Sequence, residues 1–159
     1  LSQENQPTTR PLANLVSAAR DGNVRFKMTP EEFIYLDRDC DFFKEAIRRC
    51  QQTMDSISTQ QHWGLGEGNQ RLISANTLVN RFKTKAKGAG DGNSVWDALQ
   101  KHYQIVEDIQ EAHQLVRARM MQADQRFADA FNSVKDTLPE RPPEVNKFGP
   151  YILPDRTTR

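Results

Sequence analysis

Proline is missing from the whole stretch between Pro30 and Pro139, which removes the residue most hostile to a helix interior. Glycine is equally sparse, with eight copies in 159 residues, so the middle of the chain is open to long helices. Charge of one sign is lacking too: 22 Lys and Arg against 21 Asp and Glu leave a net charge of +1. No global field draws such a chain to nucleic acid or an anionic membrane, and any binding of that kind must be local. No apolar run approaches the roughly 20 residues of a membrane span, so none is expected. The first residues, Leu1-Ser2-Gln3-Glu4-Asn5, lack the charged and apolar regions of a cleavable signal. By these tests the chain is expected to be soluble and unprocessed, and Leu1 in place of Met suggests a trimmed chain or a fragment. The length fits one domain.

Residues for chemistry are scarce. Cys40 and Cys50 stand ten residues apart on what reads as one helix, about 15 Å at 1.5 Å per residue, too far to bridge each other. As free cysteines they are read first as small buried hydrophobes, with pairing to another chain as the alternative. His102 and His113 are separated by about 16 Å of helix, too wide for one metal ion, and the third histidine, His62, lies beside Trp63 in a turn. Core or interface roles for the histidines therefore outweigh a zinc site. No pair of acids stands out as a general acid and base. No catalytic residue, metal or cofactor is expected, and the chain reads as non-enzymatic.

Hydrophobic spacing supplies the architecture. Residues 1–28 read as an N-terminal arm, with a short helix over 11–19 ended by an Asp21-Gly22 turn, then Val24 to Met28 extended and alternating. Thr29, Pro30 and Glu32 form a capping box with proline at the first helical position. From there Phe33, Leu36, Cys40, Phe43, Ile47, Cys50, Met54 and Ile57 step by three or four residues, the period of a helix packed along its length. Three glycines within Trp63-Gly64-Leu65-Gly66-Glu67-Gly68 cost too much backbone entropy for a helix interior. A second helix is predicted from about 69 to 87 on the stripe Leu72, Ala75, Val79, Phe82 and Ala86, widened by Ile73 and Leu78. After the glycine loop at 88–93, Ser94 with Asp97 offers another cap. A continuous helix is then expected to about Leu138 on Val95, Leu99, His102, Val106, Ile109, His113 and their successors, about 60 Å long.

The expected fold is all-α: an antiparallel long-helix hairpin or a three-helix bundle over 29–138, with the arm before it. Whether the second and third helices stack in line or fold back stays open. Residues 139–159 read as an extended, proline-containing tail or linker carrying Phe148, Tyr151, Ile152 and Pro154. Two or three helices have little capacity to cover every side of such stripes, so a protein partner or a homo-oligomer is expected to cover the rest.

Three features invite function. The Gly64-to-Gly68 stretch has glycines enough for a phosphate loop, but no strand precedes it, no Gly-Lys-Ser or Gly-Lys-Thr follows, and Glu67 would repel an anion; it reads as a helix-to-helix turn. Residues 68–90 hold Arg71, Arg81, Lys83, Lys85 and Lys87 and no acid, a local charge of +5. Cations complement a helix C-terminus, so a solvated helix end is one reading of Arg81, Lys83, Lys85 and Lys87, and docking to an acidic partner or nucleic acid is the other. Trp63 lies in the turn and off the stripes: either it seals the end of the bundle or it is offered to a partner.

The capped helix, the Trp63-Gly64-Leu65-Gly66 turn, the second helical run and Tyr103-Gln104-Ile105-Val106-Glu107 together resemble the WXG family of type VII (ESX) secretion substrates. The resemblance spans about residues 29–110. It implies a helical hairpin bent at Trp63, Gly64 and Gly66, an export element at Tyr103 and Glu107, and a protein secreted or held in the cell envelope without a cleaved signal peptide. A cytoplasmic assembly or nucleic-acid-associated adaptor using residues 81–87 is the alternative, with nucleic acid not favoured by the near-zero net charge.

Overall fold

The structure, a computed structural model, describes residues 10–141. Its elements are α1 (Ala13–Asp21), α2 (Pro30–Thr59), α3 (Ile73–Ala86), α4 (Val95–Ala123) and α5 (Gln125–Val134), with no strand among the described residues. Over the described residues the fold is all-α, and none of the described helices is long and apolar enough to cross a membrane.

Both long helices begin as their sequences predict. Thr29 accepts from the Glu32 amide while the Glu32 carboxylate accepts from the Thr29 amide at 2.7 Å, with Pro30 at the first position. Ser94 and Asp97 make the same reciprocal pair at the start of α4. Each box satisfies two amide donors that a helix start leaves unpaired. The helices themselves, 30 and 29 residues long, extend about 45 Å each.

α2 and α4 lie side by side and run in opposite directions. Asp37 pairs with Arg117 and accepts from Gln114, Asp41 accepts from Gln110, Arg48 donates to the Tyr103 hydroxyl, and Gln51 donates to Gln100. As the first partner's number rises, the second's falls. The α2 stripe is correctly legible in the sequence: Phe33 and Cys40 are buried, and Leu36, Phe43, Ile47, Cys50, Met54 and Ile57 are half-buried.

At one end of this pair, called the base here, α1 and α5 close over the beginning of α2 and the second half of α4. Ala19, Phe33, Ile34, Ala112, Val116 and Phe131 form its core, and the Phe33 ring meets Phe127 edge-on at 5.9 Å. The described part of the expected arm, residues 10–28, lies against the pair. α1 packs on α4, and after Gly22, whose φ of +80° ends α1, Val24, Phe26 and Met28 alternate inward against the core with Arg25 and Lys27 exposed. Gly22 is needed for that left-handed cap.

Three expectations are corrected. The predicted continuous helix to Leu138 is two helices, because Asp124 adopts extended backbone (φ −134°, ψ 105°) and its carboxylate accepts from the Arg126 and Phe127 amides at 2.9 and 3.2 Å. A short carboxylate competing for backbone N–H groups ends one helix and starts another. The second helix begins at Ile73 and not near 69, since Asn69 uses its side chain to accept from the Arg71 amide in a turn. The predicted stripes are not covered throughout: besides the small Ala123 and Ala130, the residues Leu72, Ile73, Leu78, Phe82, Val95 and His102 are exposed. These larger side chains lie at the other, distal, end of the pair, where α3 has only α2 and a small part of α4 to pack on. The tail expected over 139–159 falls, from residue 142 onward, outside the described residues, as do residues 1–9.

Candidate docking surface

The distal end is assembled by a turn, a helix and a loop. α2 stops at Thr59, and at residues 63–67 the carboxylate of Glu67 accepts from the backbone amides of Trp63 at 2.5 Å, Gly64 at 3.3 Å and Leu65 at 2.9 Å. Gly64 and Gly66 adopt φ of +71° and +90°, which glycine does without penalty. The loop thus makes a ring of convergent N–H donors that would suit an anion, and Glu67 supplies the anion from within. Hydrogen bonds from the Trp63 amide and its neighbours favour the ionised form and hold the Glu67 carboxyl down at about 2.

Trp63 folds back onto the molecule. Its indole nitrogen donates to the Gln60 carbonyl at 3.1 Å, and its ring stacks on Phe82 of α3, centroids 5.8 Å apart and planes within 8°. Offset stacking at that distance adds about 1 kcal/mol beyond burial. Trp63 therefore ties the turn to α3. On the same side of α3, three residues before Phe82 and four after it, Val79 and Ala86 are both buried.

The basic residues divide. Lys87 pairs with Asp55 and lies 4.8 Å over the Trp96 ring, fastening the end of α3 to α2 and α4. Lys83 is half-buried, and Arg71 and Arg81 are exposed. Leu78, Arg81, Phe82 and Lys85 fall at i, i+3, i+4 and i+7, one stripe of the helix. Opposite them the loop at 88–93 folds back, with Lys85 donating to the Asn93 carbonyl at 2.8 Å. Between helix and loop lies a groove of about 720 Å³, lined by Leu78, Arg81, Phe82 and Lys85 on one side and by Ala89 and Asp91 on the other. Arg81 has no ion-pair partner among the described residues. A carbonyl partner leaves the Lys85 charge unneutralised.

The apolar side of this surface is the more telling. Among the described residues seven large hydrophobic side chains are exposed, and six of them, Leu65, Leu72, Ile73, Leu78, Phe82 and Val95, fall between residues 65 and 95. Ile73 stands 75% exposed. Phe42, on α2, is the exception.

Tyr103 and Glu107 lie one turn apart in the middle of α4 and are both half-buried. The Tyr103 hydroxyl accepts from Arg48, whose guanidinium also lies 4.9 Å over the ring, so α2 occupies that face of the tyrosine. The histidines take separate places: His62 and His102 are exposed, while His113 stacks on Phe26 at 4.3 Å in the base. No cluster of three His, Cys, Asp or Glu side chains suited to a metal occurs among the described residues. Cys40 is buried, and burial pushes its thiol up to about 11.

One buried charged group went unforeseen. Asp108 has no exposed surface; its carboxylate accepts from the Leu12 amide at 2.9 Å and pairs with Arg10 at 2.5 Å. Arg10 also bonds Glu111, which raises the guanidinium's already high pKa. The arrangement joins the start of α1 to α4 and is structural. No protein-family model matches the chain, and neither a curated protein nor a solved structure matches it.

Proposed function

We propose that this chain is a non-enzymatic helical protein that acts by protein–protein contact, with α3 and its flanking loops as the contact surface. The observation that carries the reading is the concentration of exposed apolar side chains between Leu65 and Val95. Single exposed hydrophobics are ordinary, but a group of them confined to one end marks an interaction site. A photo-crosslinking amino acid placed at Leu78 should give a discrete protein adduct in the cell of origin, and the same group at Gln125, exposed on α5, should give none. Equal labelling from both positions would refute the reading.

Its finer form is a hairpin protein of the WXG type, exported by or associated with a type VII secretion system. What supports this is the resemblance at Trp63, Gly64 and Gly66, together with Tyr103 and Glu107 sharing one side of one helix. Tyr103→Ala and Glu107→Ala are expected to reduce export, whereas Arg48→Ala, which removes the tyrosine's intramolecular partner, should leave it intact. Export unaffected by the first two substitutions would rule out their role.

A further inference from the structure

We infer that the groove between α3 and the loop at 88–93 receives an amphipathic helix whose polar flank is acidic. This rests on the reading of α3 as a docking surface and goes further by assigning the chemistry of what docks. Leu78 and Phe82, 44% and 49% exposed, offer two apolar contacts one turn apart on the same stripe as Arg81 and Lys85, so greasy and cationic positions alternate along about 10 Å of helix. A ligand complementary to that stripe must present apolar side chains and carboxylates with the same three-and-four spacing, which an amphipathic helix does.

Charge fixes the sign of the ligand. Residues 68–90 contain five cations and no acid. Asp91 is the one acid on the groove's lining; its carboxylate accepts from the Asn93 amide at 3.0 Å and keeps its charge, so Arg81 and Lys85 leave the lining with a net charge of +1. Nucleic acid fits less well. Phosphate contacts use cations, and single-stranded bases need an open aromatic face. Here Lys87 is paired with Asp55, Trp63 covers one face of Phe82, and Leu78 and Ile73 have nothing to meet on a phosphate backbone.

The test uses the full chain and three fluorescent 18-residue helical peptides with leucines at helical spacing: one flanked by glutamate, one by lysine, and one by serine. A single-stranded oligonucleotide of matched charge serves as a fourth probe, and binding is read by anisotropy. The glutamate peptide is expected to bind at least about tenfold more tightly than the lysine peptide. Arg81→Glu with Lys85→Glu should reverse that order, and circular dichroism should be unchanged because both side chains are exposed. Serine-flanked peptide bound as well as the glutamate one, with both lost in Leu78→Asp, would overturn the acidic assignment while leaving the docking surface standing. Failure of all three peptides would overturn both. Tighter binding of the oligonucleotide, or concentration-dependent dimers in light scattering that the double charge reversal abolishes, would assign the groove to nucleic acid or to a second copy and sink the proposal.

Discussion

At the base of the molecule Phe33, Ala19 and Ala112 are closed off from water by contributions from four helices, whereas at the distal end α3 leaves Ile73, Leu78 and Phe82 in contact with it. Both ends carry the apolar periodicity of a helix packed on its neighbours, so periodicity does not separate them. What separates them is the number of neighbours. α1 and α5 bring two further surfaces to the base, while α3 meets the long pair on one face and has no second layer beyond it. The same hydrophobic side chain is thereby a stabilising element at one end and an unpartnered surface at the other.

The sharpest way to break this comparison is by paired truncation. Phe33→Ala, at a site 1% exposed, should cost about 3–5 kcal/mol in urea unfolding. Ile73→Ala, at 75% exposure, should stay within about 0.5 kcal/mol. Similar losses at the two positions would mean that the distal end is covered in solution. A smaller effect is expected at the joint between α1 and α4: Arg10→Ala strands the buried Asp108 carboxylate and should cost about 2 kcal/mol, and Asp108→Asn, which removes the charge, should cost about 1 kcal/mol. The reverse order in the same unfolding assay would show that water reaches Asp108.

Cysteine reactivity sharpens the contrast along α2. With burial holding the Cys40 thiol at about 11, its thiolate is scarce at pH 8, and a thiol reagent should modify the half-buried Cys50 first, by about tenfold or more. Equal rates, followed by mass spectrometry of the two peptides, would show that the middle of the α2/α4 pair opens readily. The smallest effect is a local one in the distal loop. Glu67 has an ordinary pKa of 4.5 and a folded value of about 2, so its carboxylate holds the loop fully above the ordinary value and lets go as pH falls through about 2. The amide resonances of Gly64 and Leu65 should report that low transition, and Glu67→Gln should remove it. A midpoint near 4.5 in the unmodified protein would show that the amides do not converge on the carboxylate.

Much of this was legible in residue order. Thr29 with Glu32 and Ser94 with Asp97 announce both long helices, because a capping box needs only local spacing. The Trp63 turn is equally visible through its glycines. The break at Asp124 is not, since Phe127, Ala130 and Val134 continue the apolar rhythm of α4 in nearly the same phase and no glycine or proline interrupts them. An isolated aspartate can face water from a helix as readily as it can cap one. Asp108 and Gln110 are buried for a reason no single helix carries: α1 covers one side of α4, where Asp108 meets Leu12 and Arg10, and α2 covers another, where Gln110 donates to Asp41. In the basic segment, composition tells that five cations cluster, yet only tertiary contacts turn Lys87 toward Asp55 and leave Arg81 beside the groove.

The carboxylate of Asp124 has a reach well beyond its own turn. By halting α4 it lets the following ten residues of α5 change heading and bring Phe127 and Phe131 down upon Phe33 and the Arg117 guanidinium. Had the rod continued straight, those two rings would travel away from the rest of the chain on a projecting spike, and the beginning of α2 would face solvent. A bend set by one short side chain thus decides whether the molecule has a floor.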